Sequence, residues 1–448
     1  MTLYNRMRSF QTGCGLAVLF PSSLFVFKLV GFCVFLLLLA ACEEADENIR
    51  AALASQELGP VRVALVWDDN REDHFRKGAE LAQDQINGRE GISGRPLEFT
   101  PMDEASGDLN PRTGVMIGRA IAADPEIVAV IGHSDSKTAI SASIIYEEAG
   151  ILLINPAVTD RSLNEHGFSY VFSTIPDNEL IGTQVATEAF SLGYRRIAVL
   201  NSRADEAFET TKAFAKQAAA LGMTIVNQQS FFDQRQNFRD IIASFGYSGF
   251  DALFLAARPE SMEAIIRQSM EMNLRTPVIL GSMVSPSTLR DALGNETSRI
   301  TMPILFNPWV DDWRTKRFLR EFEEKFEMSP DGWAAQGYDS VMMLADSMRD
   351  ARSTVPLSVA TFIRYTLSWQ GITGRHSFDR SGSVYTKTLD FATLENGTIR
   401  FLSAEGDVHT VQPVKKNDQE ARLKTSKPLP LSNHLQTRDR KTLSSGRN

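Results

Sequence analysis

Residues 127–159 read IVAVIGHSDSKTAISASIIYEEAGILLINPAVT, and the order of patterns in them decides the fold class. Residues 127–131 form a short, continuous, mostly branched apolar run, the mark of a strand covered on both faces. A polar break follows from Gly132 to Ser136, then helical spacing over 137–149, then a second apolar run over 151–154. Strand, helix and strand at this length make a parallel pair with a right-handed crossover, the repeating unit of α/β proteins.

The same rhythm extends outward in both directions. Upstream lie a strand at Val61–Trp67, a helix at Phe75–Asn87 with Phe75, Ala79, Ala82 and Ile86 on one face, a strand at 96–100 and a helix at 111–123. Downstream, 170–174 reads as a strand, and Asp177 caps a helix that runs to Leu192 and stops at Gly193. The alternation then restarts at 196–200 and continues through helices at 206–221, 238–245 and 260–272 and strands at 224–227, 252–256 and 278–280. Two runs of one rhythm predict two similar doubly wound lobes. Helices at 309–326 and 334–352 and a hairpin-like strand pair over 374–391 complete the body.

The chain has 448 residues and a formal net charge of -8, which excludes a general nucleic-acid binder with a basic face. Its three cysteines, Cys14, Cys33 and Cys42, all precede the body, so the body predicts no disulfide, no thiolate metal cluster and no cysteine nucleophile. Arg6, Arg8 and Lys28 flank an apolar run over 29–41 that ends in Leu39-Ala40-Ala41-Cys42. A basic flank, a short apolar core and small residues before the cut make a secretory signal, and this core is shorter than the ~20 residues of a spanning helix. The tetrad resembles the lipobox of bacterial lipoproteins. That resemblance implies cleavage before Cys42 and lipidation of its sulfur. The alternative is an uncleaved anchor, because 16–29 adds a second apolar stretch. Residues 1–41 therefore read as a signal peptide, 42–59 as a flexible tether and 405–448 as a disordered basic tail. The expected location is the periplasm or cell surface, held to a membrane by the lipid.

Several ordered segments resemble the Leu/Ile/Val-binding family of type I periplasmic binding proteins. They are Gly78-Ala79-Glu80 with Asp84 to Asn87 and Gly91 to Leu97; Val130 to Ser136 with Tyr146 to Ile151; Ile154 to Thr159; Tyr170 to Thr174; Gly337-Tyr338-Asp339-Ser340; and Gly371 to Gly374 with Phe378 to Gly382. The resemblance implies an α/β fold of two doubly wound parallel-sheet lobes joined by three hinge crossings, with a ligand enclosed between them. The crossings are expected near Pro176, Asn307 and Gly371. One lobe then comprises 60–176 and 308–371, the other 177–307 and 372–404.

Ser134-Asp135-Ser136 follows a strand's carboxyl end and opens a helix, where unpaired amides and a positive dipole end await an anion. The resemblance implies that Ser136 holds a ligand carboxylate, with Ser134 beside it, and that the Ala157 carbonyl and Thr159 hydroxyl take an ammonium and the carboxylate. The plain alternative for Ser136 is a helix cap. The second lobe departs from the family. Ala207-Phe208 stands where relatives place Tyr-Gly, so Phe208 is expected to supply the apolar wall from a shifted position. Gly281-Ser282-Met283 stands where relatives carry the carboxylate that binds the ammonium. Arg258 replaces an aromatic; it either forks onto a second anionic group or is a surface residue at a helix start. Asp68, Asp69 and Arg71 can form a rim on the first lobe, and Trp67, Trp309 and Trp313 either flank the cleft or pack in core and hinge.

The reading is thus a non-enzymatic solute-binding protein without cofactor or metal, for an amino acid or related carboxylate, serving an ABC importer or a sensor. The alternative is a regulatory lipoprotein of the same fold that binds a cell-envelope protein. His74, His133, His166, His376, His409 and His434 are scattered without metal-ligand spacing. Neither a phosphate-binding loop of the Gly-Lys-Ser/Thr kind nor a Gly-x-Ser-x-Gly elbow occurs.

Overall fold

The computed structural model describes residues 47–411, apart from 57, 72–73, 105–108, 247–248, 295–296 and 403–407. Cys42, the signal peptide and the tail beyond 411 lie outside the described residues.

The first lobe is built on a five-stranded sheet of β1 (Val61–Trp67), β2 (Leu97–Asp103), β3 (Ile127–Gly132), β4 (Leu152–Asn155) and β5 (Val171–Ser173). Its order is β2-β1-β3-β4-β5 and every pairing is parallel. Strand β1 shows why the run is apolar without a break from Val63 to Trp67. Val63, Leu65 and Trp67 enter a core on one face, and Ala64 and Val66 enter a core on the other. Helices α2 (Phe75–Asn87), α11 (Trp313–Phe326), α12 (Gly332–Asp350) and α13 (Pro356–Tyr365) belong to the first face; α3 (Pro111–Ala122) and α4 (Ser136–Glu148) cover the second. Short α5 (Ser162–Glu165) follows β4.

The second lobe has an eight-stranded sheet in the order β15-β14-β13-β10-β9-β8-β6-β7. Strands β6 (Arg196–Ser202), β7 (Thr224–Phe231), β8 (Ala252–Ala256), β9 (Val278–Leu280) and β10 (Ile300–Ile304) are parallel. Strands β13 (Asp390–Glu395), β14 (Thr398–Leu402) and β15 (Val408–Val411) extend it antiparallel. Helices α6 (Asn178–Ser191), α7 (Asp205–Ala220), α8 (Arg239–Phe245), α9 (Pro259–Glu271) and α10 (Pro286–Leu293) connect its strands.

Four expectations shift. Residues 47–55 form a docked helix, α1, in place of tether. The reason is Arg50, buried with its guanidinium donating to the carbonyls of Ala122, Asp124, Ile127 and Ala149 at 2.8–3.1 Å. A cation there faces the negative carboxyl ends of α3 and α4. The basic tail begins later than 405, because β15 pairs with β14. Residues 374–391 hold only an isolated antiparallel bridge, Phe378 to Val384, and not the expected pair of strands: β12 (Gly374–His376) pairs back onto β11 (Trp369–Gly371), while β13 joins the second sheet. The third crossing therefore falls after Gly371. Phe378 and Val384 pack in the first lobe, Ser383 bridges to Ser173, and the chain enters the second core only at Leu389. The anchor is Asp339 of α12, which accepts from the amides of Ile372 and Thr373 at 3.1 and 2.8 Å and holds 371–373 on the first lobe.

Candidate functional site

In an open α/β sheet the ligand crevice opens where neighbouring strands send their connections to opposite sides. In the first sheet that point lies between β1 and β3, so the loop after β1 and the loop 133–135 face one gap. In the second sheet it lies beside β6, whose connection opens α7. The two points meet. Ser136 Oγ, in the first turn of α4, donates to Oε1 of Glu206, in the first turn of α7, at 2.8 Å.

The loop before Ser136 is held from beneath by Glu104, whose side chain is fully buried. Its carboxylate accepts from the amides of Ser134 (2.8 Å) and Asp135 (3.2 Å) and from the Thr138 hydroxyl. Burial pushes this carboxyl up, but the adjacent His133, the Thr138 hydroxyl and the Ser134 amide outweigh it and hold it below its ordinary range. Asp135 caps α4 by accepting from the Lys137 amide at 2.9 Å. Ser136 is thus not the cap. The amides of Ser134, Asp135 and Lys137, expected to be free for an anion, are engaged within the protein; the Ser136 hydroxyl points into the cleft. The Ser134 hydroxyl is buried without a hydrogen-bond partner among the described residues.

Asn155 ties the next strand to this loop. Its amide donates to the carbonyls of Gly132 (2.8 Å) and His133 (3.2 Å), and its oxygen accepts from the amides of Ala157 (3.0 Å) and Val158 (2.7 Å). Ala157 and Thr159 are thereby set at the carboxyl end of β4, beside Ser134 and Ser136 at the end of β3. The Thr159 carbonyl accepts from Asn178 at 2.9 Å, joining it to the start of α6. Beyond Thr159, Asp160 and Arg161 join Glu206 and Glu209 in lining a polar cavity of about 440 Å³ whose carboxylates outnumber its cations.

Phe208 does not reach this gap. It is 55% exposed and absent from the cavity that Glu206 and Glu209 line, because one residue advances a helix by about 100° and turns Phe208 off the cleft face. The second-lobe residue that meets Ser136 is Glu206, which sequence reasoning missed; the available signal was an acidic pair, Asp205-Glu206, opening a helix after a switch-point strand. Arg258 lies at the carboxyl end of β8, exposed, at the cap position of α9, and does not line the cavity shared by Glu206 and Glu209. Gly281-Ser282-Met283 follows β9, with Ser282 Oγ donating to the Ala257 carbonyl at 3.3 Å. Among the described residues no group of three or more His, Cys, Asp and Glu can hold a metal.

The loop after β1 contributes Arg71. Its guanidinium lies 4.7 Å from the Trp333 ring and 5.3 Å from the Trp67 ring, and Nη1 reaches the Ser134 carbonyl at 3.4 Å. Trp67 in turn stacks on Phe75, ring centres 3.6 Å apart. Trp309 lines a cavity with Trp333, and Trp313 is 64% exposed at the start of α11.

Comparison with known proteins returns solute-binding proteins. A Leu/Ile/Val-binding protein homolog 1 from Brucella abortus is 26% identical over 310 residues, covering 69% of this chain and 82% of the relative. A leucine-, isoleucine-, valine-, threonine- and alanine-binding protein from Pseudomonas aeruginosa is 24% identical over 359 residues, covering 80% and 92%. The crystal structure of an ABC transporter substrate-binding protein from Desulfitobacterium hafniense in complex with Leu superposes with a TM-score of 0.69 at 27% identity, covering 77% of this chain and all of that one (100%). These are binding proteins and not enzymes. The periplasmic binding protein family model matches residues 71–398, and on that match the chain belongs to the periplasmic binding protein family.

Proposed function

We propose that the cleft binds a small carboxylate-bearing solute, an amino acid or a related acid, outside the cytoplasm, and that the lobes close on it. The observation that carries this reading is the Ser136–Glu206 hydrogen bond: the first-lobe hydroxyl already engages a carboxylate presented by the other lobe. A solute carboxylate takes the same donor, with the Thr159 hydroxyl beside it, and the Ala157 carbonyl accepts from an ammonium. The acidic balance of the adjoining cavity favours a dipolar solute over a dianion. The relatives' names, which specify leucine and other amino acids, support the class.

Isothermal titration against amino acids, dicarboxylates, amides and small aromatic acids tests the reading. Hydrogen bonds to a charged group are worth ~1.5–3 kcal/mol, so Ser136→Ala weakens the best solute by roughly ten- to a hundredfold while melting stays near wild type. Equal affinities in wild type and variant reject it. Arg258→Ala sorts solute types: selective loss for acidic solutes assigns it a second anionic group, and no change leaves it a surface residue. We also propose that Cys42 carries lipid and that the protein delivers its solute to an ABC permease or reports it to a sensor. Cys42→Ala releases the protein from membranes if the anchor is real; unchanged fractionation and an unlabelled wild type reject it.

A further inference from the structure

Arg71, whose Nη1 reaches the Ser134 carbonyl, also lies over Trp333, which borders a second, apolar chamber. Trp333 is at once the platform for the Arg71 guanidinium and a wall of this cavity of about 370 Å³. The other apolar walls come from both lobes: Met283 and Val284 after β9, Phe306 in the second crossing, Leu319 of α11 and Phe401 of β14. A concave, largely apolar lining with a few polar groups, built from two lobes, is the make-up of a small-molecule site. At ~30 Å³ per water-sized group the space admits about a dozen heavy atoms, well beyond the four carbons of a leucine side chain.

We infer that this chamber receives the apolar body of the solute whose carboxylate binds at Ser136, and that the protein selects acids with an aliphatic or aromatic body larger than leucine's. Arg71, between Ser134 and Trp333, lies along the solute where the polar and apolar ends join. The inference rests on the carboxylate reading of Ser136.

The test is a series of straight-chain monocarboxylates from acetate to decanoate, with phenylalkanoates alongside. They are titrated into the purified chain by calorimetry and, for the weakest, by ligand-observed NMR. Each methylene that enters the chamber strengthens binding about fourfold, until the chamber is full. Ser329→Trp, on an exposed loop of the first lobe, and Val284→Trp, on the second, fill the chamber from opposite sides. Each flattens the rise with chain length. Ser136→Ala weakens every member alike. Affinity in the wild type that does not depend on chain length overturns the inference without any variant, as does a rise that survives both fillings. A rise that is lost on filling but indifferent to Ser136→Ala overturns the carboxylate reading and the link between the two ends.

Discussion

At the scale of single residues, Glu206 is both a contact and a competitor. Its carboxylate holds the Ser136 hydroxyl that, on the proposed reading, a solute acid takes. Glu206 is exposed, so the bond is worth about 1 kcal/mol at most after screening. Glu206→Ala is expected to raise affinity for simple carboxylates up to about fivefold, read by titration, because it removes a rival acceptor and a like charge. Glu104 behaves oppositely. Glu104→Gln places an amide N–H against one of the donors from Ser134, Asp135 and Thr138, in a site closed to water. A loss of about 2–3 kcal/mol in denaturant unfolding is expected. Because its folded pKa is lowered, the stability Glu104 contributes is present above its ordinary range and is lost as pH falls through the folded value. Acid unfolding of the wild type should therefore lose this contribution at low pH, and the Gln variant should not show that component. The placement of Ser134 and Ser136 was legible because a strand end and a helix start bracket them. Glu104 and Glu206 were not, since a turn after β2 and a helix after β6 approach α4 only through the tertiary fold.

At the scale of elements, α2 and α12 pack so closely that their glycines are required. A Cβ on Gly337 would stand 2.3 Å from the Phe75 carbonyl oxygen, and one on Gly78 would stand 1.9 Å from that of Ala334. Backbone cannot yield as a side-chain tip does, so the helices must separate. Alanine gains about 1 kcal/mol of helix propensity, and forced separation costs more than it gains. Gly337→Ala is expected to destabilise by about 2 kcal/mol, visible as a lower urea midpoint; an unchanged midpoint would show that the pair has slack. Strands β3, β4 and β8, and β1 from Val63 onward, were readable because strands buried on both faces are written as unbroken apolar runs. The hairpin over 374–391 was misread because its two strands do not pair with each other: β12 turns back onto β11 just before it, and β13 pairs with β10, distant in sequence. Helix α1 was missed because the acidic residues just before it, Glu43, Glu44 and Asp46, coloured the reading of 42–59, and because the value of Arg50 lies in four carbonyls found only after α3 and α4 have packed.

At the scale of the whole molecule, the lobes meet at a hinge pinned by Lys387. Its ammonium donates to the Thr174 carbonyl and the Thr373 hydroxyl, both at 3.0 Å, and to His376 Nε2 at 3.1 Å. His376 therefore carries its proton on Nδ1, which faces the Gly374 carbonyl at 3.1 Å; burial and the charge of Lys387 keep the ring neutral. Asp339 of α12 faces the same group, raised by its own burial against the opposing pull of Thr373 and Lys387. Burial lowers Lys387 to about 8, against the partial compensation of Asp339. Between about 8 and the ordinary lysine range the unfolded chain holds a proton that the folded chain has lost, so stability rises with pH across that window and is flat below it. The gain is at most about 3 kcal/mol. Lys387→Met should remove that slope from melting curves recorded at pH 7–11, and an unchanged slope would assign it to other groups.

Helix α1 also sets a radius. With lipid on Cys42, as proposed, only residues 43–46 separate the anchor from a segment already docked on the first lobe. At 3.3–3.6 Å per residue, the leash from Cys42 to residue 47 spans roughly 17 Å at full stretch, where an undocked 42–59 segment would allow about 60 Å. A body held that short cannot roam the envelope. So anchored, it would skim the bilayer, and its encounters with any membrane partner would become a search in two dimensions, with the face that bears residues 47–55 turned toward the lipid.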